Sequence, residues 1–119
     1  MAKGDDIQER LIDFAVMVIK VSAELPKGFA GRHISKQLLR SGTSSAPNYA
    51  EARSAESNND FIHKLKIALK ELNETKVWLK ISRKSGLLAE TRMKGISSEC
   101  DELCKIISVS VRTARTRRE

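Results

Sequence analysis

Hydrophobic positions recur at three- and four-residue steps in four stretches of the chain, the pattern of helices that each bury one stripe. The first stretch covers residues 6–24, with Ile7, Leu11, Phe14, Ala15, Val18 and Ser22 on one side. Leu25-Pro26-Lys27-Gly28 stops it, since proline cannot continue a helix and glycine loosens the chain. A second helix is predicted over residues 31–53. The third, over 57–85, has the cleanest period: Phe61, Leu65, Ala68, Leu69, Leu72, Thr75 and Leu79. It opens at Ser57-Asn58-Asn59-Asp60, a capping box with Asp in place of Glu, and Gly86 supplies its C-terminal break. The fourth, over 89–115, aligns Met93, Ile96, Cys100, Leu103, Ile107 and Val111 ahead of a basic end expected to fray.

Helices of ~20 to 28 residues are ~30 to 42 Å long. Short connections between such rods favour antiparallel neighbours. The expected fold is therefore all-α: one up-down-up-down, antiparallel four-helix bundle over residues 1–119. Composition agrees. Aromatic residues are only 4% of the chain, so aliphatic side chains must fill the core, and a strand-rich fold is disfavoured. The longest apolar run, Phe14 to Ile19, falls far short of the ~20 residues that cross a bilayer. Nothing after the N-terminus reads as a signal peptide, so a cytoplasmic location without membrane attachment is expected.

That same run, Phe14-Ala15-Val16-Met17-Val18-Ile19, is apolar at every position and so covers the whole helix circumference. A bundle covers one face of each helix, which leaves Val16 and Ile19 outside it. Burying such a side chain is worth ~1.5–3 kcal/mol, so a second copy of the chain is the natural cover. A homo-oligomer is expected, with Val16 and Ile19 as candidate interface residues.

The second helix breaks the propensity rules. It contains Gly42 and Pro47 within Ser41-Gly42-Thr43-Ser44-Ser45-Ala46-Pro47, and Pro47 cannot donate back to Thr43, so a kink or local widening is expected. Its small residues let a neighbouring backbone come close. Arg40, Asn48 and Glu51 fall at helical spacing on one face and are candidates for a polar network or an interface, with Glu51 paired to Arg40 or another base if buried.

The segments Gln37-Leu38-Leu39-Arg40-Ser41 and Pro47-Asn48-Tyr49-Ala50-Glu51, with Asp60-Phe61-Ile62, Leu65 to Ala68, and Glu71-Leu72-Asn73-Glu74-Thr75-Lys76-Val77-Trp78-Leu79, resemble the four-helix-bundle 23S rRNA intervening-sequence protein family. The resemblance spans roughly residues 11 to 107. It departs where Ala52 replaces the family glycine and where Leu39-Arg40-Ser41-Gly42 stands for the usual Arg-Arg-Ala-Ser. The resemblance implies a left-handed bundle assembling into a pentameric barrel, with an ill-defined function. Members are encoded within insertions in ribosomal RNA genes. A related branch, the accessory variability proteins of diversity-generating retroelements, binds RNA and a reverse transcriptase.

Charge adds a partner class. The formal net charge of +7 attracts polyanions or an acidic protein, unless it only keeps the molecule dispersed. Arg32, Lys36 and Arg40 share a face at four-residue steps, and Arg112, Arg115, Arg117 and Arg118 cluster at the C-terminus. With Arg40 assigned to the polar network, the candidate nucleic-acid-binding residues are Arg32, Lys36, Arg112, Arg115, Arg117 and Arg118. Little aromatic interleaving argues against stacking on single-stranded bases.

Catalytic chemistry finds little support. Asp60-Phe61-Ile62-His63 supplies one acid-x-x-His half of a di-metal carboxylate site, but His33 has Ala30 where the second acid belongs. Cys100 and Cys104 are two thiols on the apolar stripe, where zinc wants four ligands; free buried cysteines are the better reading. No phosphate loop, dinucleotide fingerprint or nucleophile elbow is present. The expectation is a non-catalytic, homo-oligomeric scaffold without metal or cofactor, binding structured RNA or an RNA-handling protein such as a reverse transcriptase. The alternative is a protein-only adaptor that docks an acidic partner.

Overall fold

The computed structural model describes residues 3–117, without the side chain of Lys3. Five helical segments follow one another: α1 (Lys3–Glu24), α2 (Phe29–Gly42), α3 (Ser45–Arg53), α4 (Asn58–Lys84) and α5 (Glu90–Thr116). No strand occurs among the described residues.

The expected second helix, 31–53, is thus two segments. Pro47 has no N–H for the Thr43 carbonyl, and the chain responds one turn earlier. Ser44 N–H bonds the Ser41 carbonyl at 3.4 Å, a tightened step, before Asn48 N–H resumes the ladder on Ser44 at 3.2 Å. Side chains add bonds on either side of the break: the Thr43 hydroxyl donates to the Leu39 carbonyl at 2.6 Å, and the Asn48 amide to the Ser44 carbonyl at 2.9 Å. Thr43 and Ser44 both stay in the right-handed helical region, so the chain bends without reversing. Both segments pack on α1 and on α4, and together they fill one corner of a four-rod bundle. In cyclic order the corners are α1, α2 with α3, α4, and α5. Helices α1 and α4 therefore lie on a diagonal.

The stripes read from periodicity form the core. Leu11, Phe14 and Val18 of α1, Leu38 of α2, Leu65, Leu72 and Leu79 of α4, and Met93, Ile96, Leu103 and Ile107 of α5 are fully buried. Within that interior the Thr75 hydroxyl lies 2.9 Å from Ser41 Oγ, across α4 and α2, and also reaches the Glu71 carbonyl at 2.8 Å. At Gly42 the α2 backbone approaches α1 so closely that a Cβ would stand 2.6 Å from a Val18 methyl. At Gly31 a Cβ would lie 1.8 Å from the Pro26 carbonyl oxygen, so the turn into α2 requires glycine. Ser57 caps α4 by accepting from Asp60 N–H at 3.1 Å, and Gly86, at φ +76°, ends its C-terminal turn.

Ion pairs tie adjoining corners: Glu24 to Arg92 and Arg10 to Glu99 between α1 and α5, Glu51 to Lys64 between α3 and α4, and Lys76 to Asp101 between α4 and α5. The hydrogen bonds of Arg92 push the Glu24 carboxyl below its ordinary range. Exposed pairs of this kind contribute little against solvent screening, so they select neighbours more than they hold the fold. The molecule measures 50 × 23 × 22 Å.

Candidate functional site

The candidate basic residues separate into two groups at opposite ends of the rod. Arg32 and Lys36 are exposed on the first turns of α2, beside the α1–α2 turn. With Lys27 and His33 they line a groove of about 410 Å³ that has no acidic side chain on its wall. No side chain caps the start of α2, so its first N–H groups add a positive pole there. Arg112 and Arg115 are exposed on the last turns of α5 and Arg117 just beyond it, at the end where Asn58 donates to the Ala114 carbonyl at 2.9 Å. Arg118 lies outside the described residues.

Arg32, Lys36, Arg112, Arg115 and Arg117 make no ion pair among the described residues, whereas seven other basic side chains do. Arg40 belongs to the paired set. Its guanidinium bonds Glu74 and, at 3.4 Å, Glu71, both on α4. Gln37 adds a contact at 3.3 Å.

Arg40, Asn48 and Glu51 do not form one buried network within the chain. Arg40 and Glu51 are exposed, and Glu51 pairs with Lys64 at 2.8 Å. Asn48 is half-buried and bonds the local backbone. The physical reason is distance: eleven residues of helix rise ~16 Å, so a shared face does not bring Arg40 to Glu51.

Val16 and Ile19 face solvent at 43% and 51% exposure, joined by Ile12 at 40%. A second apolar surface went unread in the sequence. On α4, Val77 is 55% and Ile81 39% exposed, next to half-buried Trp78. Their four-residue spacing, off the core stripe, was the available signal. Trp78 donates its indole N–H to Glu74 at 3.0 Å, and the His33 ring meets it edge-on with centroids 5.8 Å apart. Phe29, at the start of α2, is 96% exposed.

The remaining candidates for chemistry are internal or isolated. Cys100 and Cys104 are free and buried; Cys100 donates toward the Leu72 carbonyl at 3.4 Å and Cys104 toward Asn73 Oδ1 at 3.6 Å. Its contact with Cys104 and its burial push the Cys100 thiol well above the usual range. His63 is exposed. Among the described residues, no group of three His, Cys, Asp or Glu could hold a metal ion, and no helix is long and apolar enough to cross a membrane.

Fold and surface together define a small all-helical bundle whose outward chemistry is basic at its ends and apolar along two of its sides. The model of the 23S rRNA-intervening sequence protein family matches residues 5–109. The chain belongs to that family. Among solved structures it is similar to a protein with unknown function from the S23 ribosomal protein family of Bacteroides thetaiotaomicron, with 35% identity and a TM-score of 0.82. That match covers 88% of this chain and 97% of the other. No curated protein matches the chain.

Proposed function

We propose that the protein is a non-catalytic, homo-oligomeric scaffold that binds structured RNA through basic surfaces repeated around the assembly. In this reading the rods run up-down-up-down, supported by the opposed order of the pairs Arg10–Glu99 and Glu24–Arg92. The copies form the pentameric barrel that the family resemblance implies.

The observation that supports RNA is the set of exposed cations without carboxylate partners among the described residues, Arg32 and Lys36 at one end and Arg112, Arg115 and Arg117 at the other. A cation already neutralised by an acid gains little from a phosphate; an unpaired one releases a counterion from the nucleic acid. Repetition around an oligomer then adds weak contacts through effective concentration.

Filter binding of a hairpin RNA at rising salt tests this. Four phosphate contacts would give a slope of about −3.6 in log affinity against log salt, or roughly a hundredfold loss from ~50 to ~200 mM. RNA affinity that is absent, or indifferent to salt, overturns the proposal. Co-purification of an acidic protein after nuclease treatment would then favour the adaptor reading.

A further inference from the structure

We infer that copies of this chain associate head to tail, the outer face of α1 in one copy lying against the outer face of α4 in the next. The inference rests on the homo-oligomer reading above and names the two surfaces that meet.

Each face has an apolar strip that the bundle leaves in water: Ile12, Val16 and Ile19 on α1, Val77 and Ile81 on α4. The two helices occupy diagonal corners, so the strips look away from one another. A twofold pairing of α1 with α1 would cover one strip per copy and leave the other wet. Joining unlike faces covers both in every copy, and such heterologous contacts close into rings when the rotation permits.

Charge gives the same answer. Beside the α1 strip stand three acids, Asp6, Glu9 and Asp13, and one base, Lys20, all exposed and without an ion pair among the described residues, so the face is net acidic. Beside the α4 strip stand Lys66, Lys70, Lys80 and Lys84, equally exposed and unpaired there. An acidic apolar face and a basic apolar face complement each other, whereas each would repel its own kind.

Register agrees as well. Gly4 and Ile7 of α1 line a common cavity with Phe61 of α4, so both helices begin at one end of the rod. Rotation about an axis along the rods therefore sets α4 of one copy beside α1 of the next in the same direction. Glu9 precedes Val16 by seven residues, and Lys70 precedes Val77 by seven. With the two valines level, that carboxylate and that ammonium are level too.

The test is sedimentation equilibrium of two variants, Val16→Glu with Ile19→Glu, and Val77→Glu with Ile81→Glu. All four positions are solvent-facing in the single chain, and circular dichroism checks that the helices persist. Each variant alone should sediment at the monomer mass of 13.3 kDa. Mixed in equal amounts, they should form a heterodimer of twice that mass and nothing larger, since one intact face remains on each. Wild-type-like assembly of the α4 variant, or a mixture that stays monomeric, overturns the head-to-tail pairing while leaving an oligomer in place. A monomeric wild type overturns the oligomer reading itself. Independently, Glu9→Lys and Lys70→Glu should each weaken assembly at low salt about tenfold, and the chain with both changes should recover it. Failure to recover also overturns the pairing.

Discussion

The close approach of α2 to α1 at Gly42 makes a quantitative prediction. An alanine methyl at position 42 would lie 2.6 and 2.7 Å from the two γ-carbons of Val18, a side chain with no exposed surface. Val18 is β-branched and has one strongly preferred rotamer in a helix, so it cannot swing aside cheaply. Overpacking of this kind costs ~1–3 kcal/mol. Alanine in place of helical glycine returns ~0.5–1 kcal/mol, leaving Gly42→Ala less stable by about 1 kcal/mol. Val18→Ala alone removes two buried methyl groups and should cost about 2 kcal/mol. In the double variant the new methyl enters the space Val18 vacates, so the two losses should not add, and the shortfall should be about 1–2 kcal/mol. Urea unfolding at one protein concentration, followed by circular dichroism, measures all four corners of the cycle. Additivity within ~0.5 kcal/mol would refute the contact. Gly31→Ala is the contrasting case. Its clash is with the Pro26 carbonyl oxygen at 1.8 Å, backbone that no truncation removes, so it should be the costlier change.

Two further outcomes follow from single residues. Ser57→Ala removes the side-chain bond that caps α4 and should lower stability by ~1 kcal/mol, read in the same unfolding assay; an unchanged midpoint would show the cap idle. Tyr49, the chain's one tyrosine, is buried, and burial raises its pKa above the ordinary 10.0. A raised folded pKa means full stability below pH 10.0, lost as pH climbs through the folded value. Tyrosinate absorbance should therefore titrate later in the native protein than in urea, and coincident curves would contradict the burial.

The four rods were legible because periodicity records burial directly. Leu65, Leu72 and Leu79, or Ile96, Leu103 and Ile107, fall on one line only if that line faces a core. The break in the second helix was legible in cause and in place, because Pro47 withholds a donor from Thr43. Its form was not: the chain tightens at Ser44 and divides the helix into two segments. Side-chain partners between helices were not legible. Spacing reveals which residues share a face, but not which acids the neighbouring helix presents; Arg40 meets Glu71 and Glu74 because α4 passes beside α2 at that height. Val77 and Ile81 were hidden by the clarity of their own helix, since a strong core stripe makes off-stripe apolar residues look incidental. Val16 and Ile19 were legible because their run has no single apolar stripe to hide them.

What the bundle leaves outside is divided by location. The apolar strips run along the sides of the rod, while the arginines without an ion pair among the described residues, Arg32 at one end and Arg112, Arg115 and Arg117 at the other, sit at its tips. In a ring built by rotation about the rod axis, sides become contacts between copies and tips become two rims. Assembly and RNA binding would then use different residues, although salt weakens both, because lysines and carboxylates flank the side contact as well. A loss of RNA affinity with salt could thus arise from a ring coming apart. Arg32→Glu with Lys36→Glu separates the two. It should lower RNA affinity at least tenfold and reduce the salt slope by about 2, with no change in sedimentation. If that variant instead dissociates the assembly, the rim and the side are one surface, and the division of labour between tips and flanks is wrong.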